Sequence, residues 1–101
     1  MSEAISISIT RSESGSKGRY EATVKGHDGH GELTFSRMSA EKIIADHTGV
    51  DDSLRGLGVG KALVERLIAD ARKDGFSIVP LCTFVRAQYR KHPEWVDVMD
   101  S

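Results

Sequence analysis

The hydrophobic pattern of this chain changes period once, and a glycine loop stands where it changes. Before the loop, apolar residues alternate with polar ones. Ile5, Ile7 and Ile9 do so first, then Tyr20, Ala22 and Val24, then Leu33 and Phe35, and a fourth run over residues 42–47 carries Ile43 and Ile44. Such runs predict half-buried strands. After the loop, Leu63, Val64, Leu67, Ile68 and Ala71 recur at helical spacing and mark one face of a helix. Residues 11–18, rich in Ser and Gly, predict a loop between the first two strands. His27-Asp28-Gly29 predicts a hairpin turn. Gly75 predicts the end of the first helix. Residues 77–82 predict a short buried strand, and Thr83 a cap for a second helix over 84–91 that Pro93 ends. The passage from the fourth strand through the helix to the fifth is a crossover, so those two strands should be parallel neighbours. The expected fold is α+β: an antiparallel meander of four strands, the glycine loop, a helix, a parallel strand and a C-terminal helix.

At 101 residues, with 39% apolar and 29% charged side chains, the chain suits one soluble domain over residues 1–101. No apolar run is long enough to cross a bilayer, so no membrane role is expected. Met1-Ser2-Glu3-Ala4 lacks the basic start and apolar centre of a leader peptide. The single cysteine excludes an internal disulfide and points to a reducing, cytoplasmic setting. A net charge of −1 argues against nucleic acid as a partner. The charge is uneven, however. Arg55, Lys61, Arg66, Arg72, Lys73, Arg86, Arg90 and Lys91 face only Glu65, Asp70 and Asp74 over the same stretch. That half favours an anionic ligand, although Arg66, Arg72 and Lys73 read better as a solvated helix face.

The loop itself is Arg55-Gly56-Leu57-Gly58-Val59-Gly60-Lys61. Glycines let a ligand approach the backbone, and a helix beginning there points unpaired N–H groups and its positive dipole end at an anion. A P-loop would need Ser or Thr after Gly60-Lys61, where Ala62 stands, and Gly in place of Arg55. The dinucleotide pattern fits Gly56 and Gly58 but then requires Gly in place of Lys61. Arg55-x-x-Gly58-x-Gly60 resembles the acetyl-CoA pyrophosphate loop of the GCN5-related N-acetyltransferases, R/Q-x-x-G-x-G/A. Asp46-His47-Thr48, residues 77–84 (Ser77-Ile78-Val79-Pro80-Leu81-Cys82-Thr83-Phe84) and residues 89–95 (Tyr89-Arg90-Lys91-His92-Pro93-Glu94-Trp95) are similar to the small, single-domain YjdJ-like members of that superfamily.

The resemblance implies the acyl-CoA N-acyltransferase fold, acetyl-CoA as cosubstrate and an amine as acceptor. Backbone N–H groups of Leu57, Gly58, Val59, Gly60, Lys61 and Ala62 would hold the pyrophosphate, with Gly56 shaping the loop and Arg55 and Lys61 adding charge. His47, Thr48 and Val50, at the edge of the fourth strand, would meet the pantetheine arm where strands four and five splay. Ala87-Gln88-Tyr89-Arg90-Lys91 resembles the family's A-x-x-Y-x-K segment, in which the tyrosine protonates the departing thiolate. A phenol of pKa about 10 can do so. Tyr89 reads equally as an aromatic packed beside Val85. The order of elements lacks the helices that usually lie between the first two strands and wall the acceptor site.

Three further readings stay open at this stage. His47 is either a proton relay for the amine or a strand-end histidine bonded to backbone. Cys82 is either a small buried hydrophobe or a nucleophile in a two-step transfer, activated by the helix that starts beside it. His27 and His30 read as surface residues. His92 reads as structural or as reaching the adenosine side. None of the four histidines has metal-ligand spacing with Cys82. The expected function is direct acetyl transfer from acetyl-CoA to an amine. The alternative is a CoA or acyl-CoA binding module without turnover. A monomer and a homodimer are both open, since an edge strand over residues 5–9 or the stretch 95–99 can pair with a second copy.

Overall fold

The computed structural model describes residues 5–100. Met1–Ala4, read above for a leader pattern, and Ser101 lie outside them. The chain runs β1 (Ile7–Ser14), β2 (Lys17–Val24), β3 (Gly31–Ser39), β4 (Lys42–Val50), a 3-10 turn at Asp52–Leu54, α1 (Val59–Asp74), β5 (Ser77–Pro80), α2 (Thr83–Lys91) and a 3-10 stretch at Pro93–Val98. The sheet order is β1-β2-β3-β4-β5. The first three pairings are antiparallel and β4–β5 is parallel, as the crossover requires. No helix among the described residues is long and apolar enough to cross a membrane.

One cluster holds the fold. Tyr20, Ala22, Leu33, Phe35, Ile43 and Ala45 on the strands meet Leu63, Val64, Leu67, Ile68 and Ala71 on α1. The alternation and the helical stripe bury the faces they predicted, except that β1 starts at Ile7 and leaves Ile5 outside the strand and exposed. Burying a leucine such as Leu63 or Leu67 contributes about 2–3 kcal/mol. α1 ends at Gly75, whose φ of 80° and N–H bond to the Ala71 carbonyl close the helix.

Local corrections follow from interactions between distant elements. Residues 11–18 are not a loop: β1 runs on to Ser14, and only Gly15 and Ser16 turn. Arg11 draws the strand onwards by donating to Asp70 at 3.2 Å and Asp74 at 2.9 Å on α1. Glu13 accepts from Arg37 of β3 at 2.9 Å. Gly18 is needed because the Phe35 ring fills the place a side chain would take. The turn after β2 lies at Lys25 and Gly26, not at residues 27–29. There the His27 N–H reaches the Val24 carbonyl, and Gly26 has φ of 84°. β5 stops at Pro80 rather than running to residue 82, and the Leu81 N–H turns back to the Val79 carbonyl. α2 begins at Thr83 with Cys82 as its cap residue, so Thr83 is not the cap.

A polar cluster fastens α1 to the sheet. The Tyr20 hydroxyl donates to Asp70 at 2.8 Å, and Arg66 and Arg11 reach the same carboxylate. Burial pushes the Asp70 carboxyl up, but bonds from Tyr20, Arg66 and Arg11 outweigh it and leave its pKa below the ordinary aspartate value. Burial, then Asp70, raises the Tyr20 phenol well above its usual value.

Candidate functional site

The glycine loop becomes an open helix start. Gly58 caps α1 with φ of 78°, and Gly56 has φ of 84°. Both are left-handed conformations that favour glycine. Nothing stands within 4 Å of where a Cβ would project from either residue. No side chain caps α1, and its first turn holds no acidic residue. The first helical bond runs from the Ala62 N–H to the Gly58 carbonyl. Among the described residues, the N–H groups of Gly58, Val59, Gly60 and Lys61 therefore find no protein acceptor. Together with the dipole they form an anion cradle that suits a pyrophosphate.

The side chains of the loop are placed unequally. Arg55 is exposed and paired with Asp52 at 3.0 Å. Lys61 is exposed and has no carboxylate partner among the described residues. Leu57 packs against the core, and Val59 is buried in it. Gly60 has a packing reason of its own: a Cβ there would stand 2.8 Å from Phe84 Cζ of α2. Elsewhere in the basic half, Arg66 pairs with Asp70 and Arg72 with Asp97, so part of its charge is taken up internally.

Next to the loop the sheet opens. β4 pairs with β5 only from Lys42 to Ala45, while β4 itself continues to Val50. Pro80 ends β5, and the last link is the Cys82 N–H to the Ala45 carbonyl at 2.8 Å. A bulge falls at the same place. Thr34 pairs with His47 and Phe35 with Ala45, so Asp46 is the extra residue. Beyond it, Thr48 and Val50 lie opposite Leu33 and Gly31 and share their core face, whereas His47 lies opposite Thr34 on the outer face.

The expected site residues consequently fall on two sides of β4. On the core side, Thr48 Oγ1 and Cys82 Sγ are 3.4 Å apart. Cys82 is only 6% exposed and sits at the start of α2. Tyr89 is half-buried and packed against the core from α2, and its hydroxyl has no hydrogen-bond partner among the described residues. On the outer side, His47 is exposed, with its imidazole over Gly49. His47 is therefore not brought to Cys82. His27 and His30 are exposed, and His92 stacks on Trp95 at 4.4 Å and bonds to Glu94. No metal-binding cluster exists among the described residues.

The outer face also carries a hollow of about 400 Å³ that includes Ser12, Lys17, Thr34 and Asp46. Sequence reasoning missed it, because strand register assembles it from β1, β2, β3 and β4. The one local signal was Asp46, which stands in the Asp46-His47-Thr48 run.

A family model described as GCN5-related N-acetyl-transferase matches residues 19–98. The NMR solution structure of a GCN5-like protein from Staphylococcus aureus, provisionally assigned as an N-acetyltransferase, is similar at 26% identity and a TM-score of 0.63. The match covers 91% of this chain and 88% of that one. No curated protein matches.

Proposed function

The chain belongs to the GCN5-related N-acetyl-transferase family, and on that premise we propose that it transfers the acetyl group of acetyl-CoA to an amine. The observation that carries this reading is the open N-terminus of α1 beside the point where β4 and β5 part. Acetyl-CoA, when bound, supplies the acetyl group as a thioester. Backbone N–H groups from Gly58 to Lys61 hold its pyrophosphate, and Arg55 and Lys61 add positive charge. The free edge of β4 at His47, Thr48 and Val50 receives the pantetheine arm.

The chemistry divides across β4. His47, on the outer face, accepts one proton from the ammonium group and passes it to solvent. Attack by the freed nitrogen forms the C–N bond and breaks the C–S bond. Tyr89 gives its hydroxyl proton to the sulfur and recovers one from the nitrogen as the amide forms. Direct attack is preferred to relay through Cys82, because that thiol is buried and already in contact with Thr48. In this reading Cys82 lines the channel. Its free thiol suits a reducing, cytoplasmic setting.

The test is acetyl-CoA consumption with and without a panel of amines, followed by mass spectrometry of the products. Amine-dependent thiol release with a matching acetylated product supports the enzyme. Binding without release under every amine supports a CoA-binding module instead.

A further inference from the structure

We propose that the hollow on the outer sheet face binds the acceptor, and that this acceptor is a small zwitterion: a primary ammonium with a carboxylate a few bonds away, as in an α-amino acid. The site rests on the acetyltransferase reading for its role as acceptor site, but its binding chemistry stands on its own residues.

Two transverse rows of side chains build it. Ser12 faces Arg19, Arg19 faces Thr34, and Thr34 faces His47. Ser14 faces Lys17, Lys17 faces Ser36, and Ser36 faces Ile44. The bulge inserts Asp46 between the rows on β4. The volume, about 400 Å³, is in the range of small-molecule sites. Among the described residues no helix covers this face between β1 and β2, because those strands are joined by a two-residue turn.

The charges in the hollow select the ligand. Arg19 is paired with Glu21 at 2.7 Å, and Glu13 with Arg37 and Arg11. Among the described residues, Asp46 and Lys17 alone of the lining charges have no opposite charge as partner. Both are held by one hydroxyl: Lys17 Nζ donates to Ser36 Oγ at 2.9 Å, and Ser36 Oγ donates to Asp46 Oδ2 at 2.7 Å. One negative and one positive group a single hydroxyl apart match an ammonium and a carboxylate joined through one carbon. An amine alone would leave Lys17 unmatched, and a carboxylate alone would leave Asp46 unmatched. Direction follows from position. Asp46 directly succeeds Ala45, the last β4 residue paired with β5, so the ammonium end lies at the mouth of the opening. Lys17 lies on the far side, at the β1–β2 hairpin.

The test is an NMR titration of the full chain with L-alanine, ethylamine and propionate, followed by acetyl transfer assays with L-alanine and acetyl-CoA. L-alanine should shift the amides of Thr34, Ser36 and Asp46 saturably, and ethylamine and propionate should bind at least about tenfold more weakly. Asp46→Asn and Lys17→Met should each weaken L-alanine binding by a similar factor while leaving acetyl-CoA shifts at residues 55–62 unchanged. N-acetylalanine should form. Acetyl-CoA binding with no L-alanine shift in the hollow would overturn the proposal and leave the enzyme reading intact. So would L-alanine binding by both variants as tight as that of the unsubstituted protein. L-alanine bound in the hollow but not acetylated would overturn the acceptor role. Failure of acetyl-CoA to bind would sink the enzyme reading separately.

Discussion

Gly60 lies so close to Phe84 that a methyl group on it would stand 2.8 Å from the ring. The third glycine of the loop therefore admits α2 against the first turn of α1, whereas Gly56 and Gly58 face open space. Gly60→Ala should destabilise the fold by about 1–3 kcal/mol through overpacking. Phe84→Leu in the same chain should recover part of that loss. Denaturant melts of the two single variants and the double variant measure the coupling. Additive losses would show that the contact yields freely.

Gly58 makes a different prediction. Its φ of 78° is unfavourable for a side chain, at a cost of about 1–2 kcal/mol. Gly58→Val should still fold, yet lose at least about tenfold in acetyl-CoA affinity, because the side chain and the altered loop obstruct the cradle. Calorimetry on the folded variant checks this. Unchanged affinity would remove the loop from the site.

Tyr89→Phe keeps the packing against the core but removes the hydroxyl. Its turnover should fall about 10²-fold while acetyl-CoA affinity stays within a factor of about two. A rate equal to the parent's would make Tyr89 a packing residue. His47→Gln should lower turnover while acetyl-CoA affinity stays within a factor of about two, which an unchanged rate would contradict.

Asp70 sets an acid limit on stability. Its folded pKa is depressed, so its contribution is complete above the unfolded value of about 3.9 and is lost as pH falls through the folded value. Asp70→Asn should lower stability at pH 7 and flatten the acid limb below about pH 4. Tyr20→Phe removes one of the bonds that hold the carboxylate down and should cost about 1–2 kcal/mol. Urea melts across pH 2–7 supply both numbers.

The parts legible in the sequence are those where one face is apolar over consecutive turns or pleats. Tyr20, Ala22 and Val24 alternate into the core, and Leu63, Leu67 and Ala71 stripe α1. The open helix start was legible for a similar reason, since Gly56, Gly58 and Gly60 lie close together in sequence, every second residue. Arg11 to Ser14 were misread because their strand is held by ion pairs to α1 and β3, which leave no hydrophobic period. The division of His47 from Thr48 needed only alternation, but the bulge at Asp46 sets which face each takes, and a bulge leaves no trace in periodicity. Of the hollow only Asp46 left a local signal, because Lys17, Ser36 and Asp46 meet only through the register of three strands.

The most direct measurement is an amide-resolved NMR titration with acetyl-CoA, with CoA and ADP as comparisons. An acetyl-CoA site at the α1 N-terminus predicts saturable shifts centred on residues 55–62 and along His47 to Val50, with acetyl-CoA bound more tightly than ADP. No shift in the α1 N-terminus at millimolar acetyl-CoA, or equal response to ADP with β4 silent, would contradict it.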